Sequence, residues 1–173
     1  MSQAPTDQIT SRRFQPPMNT QFSVFLDNRV GKLLELIEIF SGQAICLAAF
    51  SVLESTDHAV VRLVTSNAEL ARRLLTRHGL PFSETDLLLV ELDPLQGRTL
   101  SGMCTTLLGA ELSIHYAYPL MVRPHQLPTI ALHTDDYVLA AQLLRRKLFT
   151  LLGENDLGDN ATGSPPSGPI PES

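Results

Sequence analysis

Two short segments of the chain place an aspartate four residues before a glycine, just ahead of an apolar run with helical spacing. They contain Asp27 with Gly31 and Asp93 with Gly97. A glycine at the start of a helix lets another group approach the backbone, where unpaired N–H groups and the helix dipole favour a carboxylate. This spacing predicts a turn that binds a small anion-bearing ligand, with the aspartate available to a cation. The alternative is structural: the aspartate caps its helix and the glycine supplies a positive φ.

Other reactive side chains are scattered along the sequence. Cys46 and Cys104 cannot form a four-ligand zinc site by themselves, and we expect both to be buried core thiols. A Cys104–His115 nucleophilic pair is a further alternative, but a cysteine on the apolar stripe of a helix is shielded from substrate. The sequence has no CxxC, HExxH, GxSxG, GxGxxG or GxxxxGK[ST] pattern. We therefore predict no metal, no cofactor and no catalytic residue, and expect that the protein is not an enzyme.

The charge and composition of the chain disfavour some classes of binding partner. The 173 residues carry a net charge of −5, which disfavours nucleic acid and anionic membranes as partners. Hydrophobic residues make up 43% of the chain, enough for a packed core. No apolar run is long enough to span a bilayer, and the first residues lack the apolar segment of a secretory signal, so the expected location is cytoplasmic.

Both ends differ from the middle of the chain. Residues 1–20 are polar and contain three prolines, and residues 158–173 are rich in proline, glycine and serine. Such segments have little apolar surface to bury, so we expect a disordered extension at each end.

The middle of the chain contains a repeat. Asp27 aligns with Asp93 and Gly31 with Gly97 at an offset of 66 residues, and Leu63 aligns with Leu132 at an offset of 69. The hydrophobic pattern also repeats between these positions, so each copy is one supersecondary unit. We place the units at residues 21–87 and 88–157.

Each unit has the pattern β-α-β-β-α-β. In the first, residues 22–27 alternate as a strand, residues 31–41 have helical spacing, and a hairpin precedes a helix that ends near Arg77. Two helices with one apolar stripe each can cover one face of a four-stranded antiparallel sheet. The predicted fold class is α+β: two ferredoxin-like units with antiparallel sheets and helices on one face. Residues 82–92 must close the first unit and open the second, as one long strand or two abutting ones.

One pair of aromatic residues falls on a predicted strand of the second unit. Tyr116 and Tyr118 lie on one face and His115 and Ala117 on the other. The two tyrosines either line a pocket between the units or simply pack on the sheet.

The strand-to-helix turns resemble those of the ACT domain, a ligand-binding module. Residues 26–33 read LDNRVGKL and residues 92–100 read LDPLQGRTL, each with a strand, an acidic residue, a turn, a glycine and an early leucine. The resemblance covers nearly all of residues 22–157 and is strongest to small stand-alone bacterial proteins made of two ACT domains. The sequence departs from the family pattern where Val30 and Gln96 replace the usual proline. Residues 42–44 and 109–111 also lack the frequent Gly-Ile-Asn.

This resemblance implies a non-catalytic regulatory protein that binds a small molecule, usually an amino acid, at an interface between ACT units. A homodimer is expected, because small units with open sheet edges favour pairing. The alternatives are a regulatory subunit of a separate amino-acid metabolic enzyme, similar to the small subunit of acetolactate synthase, and a small enzyme. The first turn is favoured, since Lys32 adds charge and Asn28 is expected to be free to bond. The expected ligand-binding residues are Asp27, Asn28, Arg29, Val30, Gly31, Lys32, Leu33, Asp93, Gln96, Gly97, Arg98 and Thr99.

Overall fold

The computed structural model describes residues 16–54 and 58–158. In chain order the elements are β1 (Asn19–Asp27), α1 (Lys32–Phe40), β2 (Leu47–Glu54), β3 (His58–Thr65), α2 (Ala68–Arg77), β4 (Phe82–Glu91), α3 (Leu100–Leu108), β5 (Ile114–Pro119), β6 (Thr129–Thr134), α4 (Tyr137–Arg146) and β7 (Thr150–Leu152). The predicted α+β class and the repeated β-α-β-β-α-β order are confirmed.

All strand pairs are antiparallel, in the order β2-β3-β1-β4-β6-β5, with β7 paired to β4. Strand β4 is a single long strand: residues 82–87 pair with β1, and residues 88–91 pair with β6. It therefore closes the first ferredoxin-like arrangement and opens the second, as expected for residues 82–92. The division into units 21–87 and 88–157 remains a prediction, and we propose it at this change of partner.

The core has three parts, because strand residues alternate between two faces. One face of the first half packs Phe22, Val24 and Leu63 against α1 and α2. The same face of the second half packs Leu88, Val90 and Leu132 against α3 and α4. The helices thus cover one face of the sheet, as predicted.

The helix-free faces of the two halves meet in the third part of the core. It joins residues of β2, β3, β4, β6 and β7, among them Ala49, Val64, Leu87, Leu89 and Ala131. The sheet curls to bring these faces together. The backbone N–H of Met121, just after β5, donates to the carbonyl of Ala48 in β2 at 2.8 Å, which links the two edge strands. The halves are therefore packed into one body.

Side chains cap the N-termini of α2 and α4. Asn67 accepts a hydrogen bond from the N–H of Leu70 at 2.9 Å, and Asp136 accepts one from the N–H of Leu139 at 2.9 Å. These bonds satisfy backbone donors that have no partner within the helix.

Several expectations from the sequence were wrong in detail. The predicted disordered extension over residues 1–20 does not hold for Asn19 and Thr20, which lie in β1 and pair with Leu87 and Asp86. The side chain of Asn19 is buried and donates to the carbonyl of Leu152 at 2.9 Å, so it is fixed by the second half of the chain. Of the other residues in the two predicted tails, 16–18 and 158 are described and lie outside strands and helices, whereas residues 1–15 and 159–173 lie outside the described residues.

The expectation that Cys46 and Cys104 are buried core thiols was also wrong: Cys46 is partly buried and Cys104 is exposed. In α3 the buried residues are Met103 and Leu107, one turn apart, and Cys104 lies beside them on the helix surface.

A polar cluster stands between the halves on the inner side of the sheet. The amide of Gln21 donates to the Tyr116 hydroxyl at 2.9 Å, and its carbonyl accepts from the Tyr118 hydroxyl at 2.7 Å. The Arg62 guanidinium lies over the Tyr116 ring, 3.9 Å from its centroid, as a cation–π pair. The two tyrosines share one face, as predicted, and they bind protein groups across the two halves.

This cluster predicts an alkaline limit to stability. Burial raises the pKa of the Tyr118 phenol above its usual range, with the nearby Tyr116 adding to the effect and Arg62 opposing it. The folded state keeps this proton at pH values where the unfolded chain, with an ordinary pKa of about 10, loses it. The free energy of unfolding should therefore be flat below about pH 10 and fall above it, by at most about 1.4 kcal/mol per pH unit.

Urea unfolding between pH 8 and pH 11 measures this dependence. Tyr118→Phe should remove much of the alkaline slope, and the control Tyr137→Phe should keep it. An equal slope in the native protein and Tyr118→Phe would contradict the assignment to Tyr118.

Candidate functional site

The turn between β1 and α1 leaves the start of the helix open. Gly31 occupies the position before α1 with φ 90° and ψ −18°, in the left-handed region, and no side chain accepts a hydrogen bond there among the described residues. The first N–H groups of a helix have no intrahelical partner. Asp27 therefore does not cap α1, and of the two structural roles considered, only the positive φ of Gly31 is seen.

A cavity of about 210 Å³, here called the first-turn cavity, lies beside this turn. Its apolar lining comes from the helix-covered face of the sheet and from α1: Leu26, Leu33, Val52, Ala59 and Val61. Its polar lining comes from the turn, α1 and the end of β2: Asp27, Asn28, Arg29, Lys32 and Glu54.

Strand register explains how these residues meet. Leu26 pairs with Ala59, and Ala59 pairs with Glu54, so the three form one row across β1, β3 and β2. Val61 and Val52 form the next row on the same face. The cavity thus has a floor of two strand rows and a wall from the first turn of α1.

Some charged and polar groups of the cavity are already paired. Asn28 donates to Glu54 at 2.8 Å, so the expectation that Asn28 is free was wrong. The hairpin places Glu54 within reach of the turn, which the sequence analysis missed. Lys32 forms an exposed ion pair with Glu35 at 2.6 Å, one turn along the helix.

Asp27 and Arg29 differ from these groups. Both are exposed, and neither has a hydrogen bond or ion pair to another described residue through its side chain. A free carboxylate and a free guanidinium two residues apart, beside the start of α1, can receive a group that carries both charges.

The structure brings together five of the seven expected residues of the first turn. Asp27, Asn28, Arg29, Lys32 and Leu33 line the first-turn cavity. Gly31 shapes the turn without lining the cavity, and the Val30 side chain is fully exposed. Val52, Glu54 and Ala59 were missed because they lie on the following hairpin. The hairpin expected from the sequence, in which residues 44–53 pair with residues 59–65, could have located these three residues.

The second turn is closed by its own side chains. Asp93 accepts from the N–H of Gln96 at 3.2 Å and binds Arg98 at 2.6 Å, in a partly buried ion pair. The backbones of Asp93 and Arg98 exchange two hydrogen bonds of 2.9 Å each. Asp93 thus has the structural role considered for it, although it caps a short 3₁₀ turn, Pro94–Gln96, rather than α3.

The start of α3 is also occupied. Thr99 accepts a hydrogen bond from the N–H of Gly102 at 3.1 Å and so caps the helix. Gly97 has φ 74° and borders a cavity of about 590 Å³ between α3 and α4. The five expected residues of this turn are together in space, but most of their polar groups bind one another.

The structure also shows where Cys104 and His115, the alternative nucleophilic pair, lie. Cys104 is exposed on α3, while the His115 ring packs against His133 with centroids 5.1 Å apart. Within residues 16–54 and 58–158, no three histidine, cysteine or acidic residues are grouped so as to hold a metal ion. In the same ranges no helix combines the length and apolar character needed to cross a bilayer.

Comparison with solved structures supports the fold. Protein BT0572 from Bacteroides thetaiotaomicron matches 82% of this chain and 96% of its own, with 22% identity and a TM-score of 0.72. The regulatory subunit of aspartate kinase from Thermus thermophilus, in its ligand-free form, matches 74% and 91%, with 9% identity and a TM-score of 0.50. At these identities the matches concern the fold. No curated protein sequence matches the chain.

A family model provides the more direct assignment. It describes an ACT domain pair and matches residues 18–159, which include all the strands and helices given above. ACT domains are regulatory, non-catalytic domains that bind small ligands, often amino acids. With two repeats of the β-α-β-β-α-β order joined by a shared strand, the chain belongs to the family of ACT domain pairs.

Proposed function

We propose that this protein is a non-catalytic, allosteric regulatory protein that binds a free amino acid in the first-turn cavity. The observation that carries the proposal is the combination of an uncapped α1 with the unpaired Asp27 and Arg29. An amino acid is a zwitterion, so its ammonium group fits Asp27 and its carboxylate fits Arg29 and the N–H groups of α1. We also propose that the protein is cytoplasmic, as expected from the sequence.

The two turns are proposed to differ in role. In the first, the side chains of Asp27 and Arg29 are available to a ligand; in the second, Asp93 and Arg98 stabilise the turn itself. The first turn is therefore the binding turn, and the second is structural.

A matched pair of arginine substitutions tests this difference in stability. Arg98→Ala should lower the free energy of unfolding by about 1–3 kcal/mol, because it leaves the partly buried Asp93 without its partner. Arg29→Ala should change it by less than about 0.5 kcal/mol, as for an unpaired surface residue. Urea denaturation of both variants measures the two values, and equal losses would show that the turns do not differ in this way.

Binding is tested first by a thermal-shift screen of the twenty amino acids. A ligand that binds the folded state raises the Tm by mass action, by about 2.7 kcal/mol of stability at a concentration of 100 Kd. Failure of all twenty to raise the Tm would contradict the proposed function.

Titration calorimetry with a hit from the screen then tests the site. Asp27→Ala should weaken binding about 10- to 100-fold through loss of a charged hydrogen bond. Gly31→Val should abolish binding, since a valine strains the backbone at φ 90° and so distorts the turn that positions Asp27 and Arg29. The control is Gly42→Val, because Gly42 also has a positive φ and open space around it but lies after α1. Unchanged affinity in Asp27→Ala and Gly31→Val would contradict the site.

We also propose that the protein is a homodimer formed along β2. Among the described strands, β2 lies at an edge of the sheet. Its side chains Phe50, Val52 and Leu53 are each more than 40% exposed. The opposite edge strand, β5, is shorter and ends in Pro119, features that discourage further pairing. A second copy at β2 would cover Val52 and Glu54 and so add a wall to the first-turn cavity.

Sedimentation velocity at micromolar concentration tests this interface. The native chain should sediment as a dimer, and Val52→Lys should shift it to a monomer by placing a charge on the apolar edge. Ala117→Lys, on the exposed edge strand β5, is the control and should remain dimeric. A native monomer, or a dimer unaffected by Val52→Lys, would contradict pairing at β2.

The alternative is a regulatory subunit of a separate amino-acid metabolic enzyme. The observation that favours it is apolar surface beside the turn, where Val30 is fully exposed and Leu34 is 61% exposed. Co-purification of the tagged chain with a larger enzyme, lost in Leu34→Asp, would favour this alternative over a free-standing sensor.

A further inference from the structure

The first-turn cavity is divided into two regions of different chemistry. Its mouth carries the unpaired Asp27 and Arg29, and its floor and inner wall carry apolar side chains from two strand rows and α1. With the charged ends of an amino acid at the mouth, its side chain would lie over Leu26, Ala59 and Val61. The side chain of the ligand therefore meets an apolar surface.

The remaining polar groups of the cavity are already engaged. Glu54 accepts a hydrogen bond from Asn28 at 2.8 Å, and Lys32 binds Glu35 at 2.6 Å. The floor of the cavity is apolar and includes the side chains of Leu26, Ala59 and Val61. A polar group of a ligand that lies over this floor without a partner costs free energy, which disfavours polar side chains there.

The size of the cavity sets a second limit. Its volume of about 210 Å³ lies below the range of about 300–1,000 Å³ that is usual for sites of drug-sized ligands. A single amino acid with a short side chain matches this volume, whereas a larger ligand would extend beyond the cavity.

We propose that the ligand of the first-turn cavity is an amino acid with a short branched aliphatic side chain, of the valine type. This inference rests on the proposed function and specifies its ligand class. The apolar floor provides affinity for the aliphatic side chain, and its side chains offer no hydrogen-bond partner to acidic, basic or hydroxylated ones.

The test is titration calorimetry of the full chain with glycine, valine, threonine, aspartate and lysine. Valine and threonine have nearly the same shape but differ by a methyl and a hydroxyl group, so their ratio reports the chemistry of the floor. Valine should bind about 10- to 100-fold more tightly than threonine, and more tightly than aspartate or lysine. Glycine should bind weakly, through its charged groups.

A cavity-filling substitution locates this preference. Ala59→Leu should lower the affinity for valine at least about tenfold while glycine binding stays the same, because the added side chain takes the space over the floor and leaves the mouth open. Ala117→Leu, which adds the same volume on β5, should change neither affinity.

The outcomes separate the two proposals. Binding of threonine, aspartate or lysine as tightly as valine, or an equal valine affinity in Ala59→Leu, would overturn the ligand class while leaving an amino-acid site in place. Absence of binding by every amino acid, glycine included, would overturn the proposed function itself and the ligand class with it.

Discussion

The second half of strand β4, residues 87–91, is buried on both faces, and the arrangement of the whole chain depends on this. Leu88 and Val90 point to α3 and α4, while Leu87 and Leu89 point to the inner core between the halves. A run of consecutive apolar residues is expected for a strand covered on both sides. Each half therefore obtains one face of its core from helices and the other from its neighbour, which compensates for the small size of the repeat.

The curled sheet determines which surfaces remain for function. The inner faces are occupied by the third part of the core and by the cluster of Gln21, Tyr116 and Tyr118. The helices lie on the outside, so the turns that precede them, the first-turn cavity and the β2 edge remain accessible. The proposed ligand site and the proposed dimer edge are thus neighbours on the surface that the packing of the halves leaves open.

The sequence repeat was sufficient to predict the fold, because hydrophobic alternation and the 66- and 69-residue offsets depend on local periodicity. Side-chain contacts between distant segments could not be predicted from this local periodicity. The burial of Asn19 depends on Leu152, and the partner of Asn28 is Glu54 on a separate strand. Cys104 falls beside the stripe of α3 because one residue rotates the side chain by about 100°. The charged residues of both turns were found by their spacing, but only the geometry shows that Arg98 is engaged and Arg29 is not.

The shared strand also makes the cooperative unit of folding larger than the repeat. If the chain were cut between Leu87 and Leu88, each fragment would lose half of β4, and the first would expose the inner faces of Val64 and Ala49. Neither half could then reach its native free energy by itself, since the missing contacts lie across the cut. Thermal melting of the intact chain should accordingly be a single transition, with calorimetric and van't Hoff enthalpies in agreement. We therefore expect the two copies of the motif to unfold as one cooperative unit.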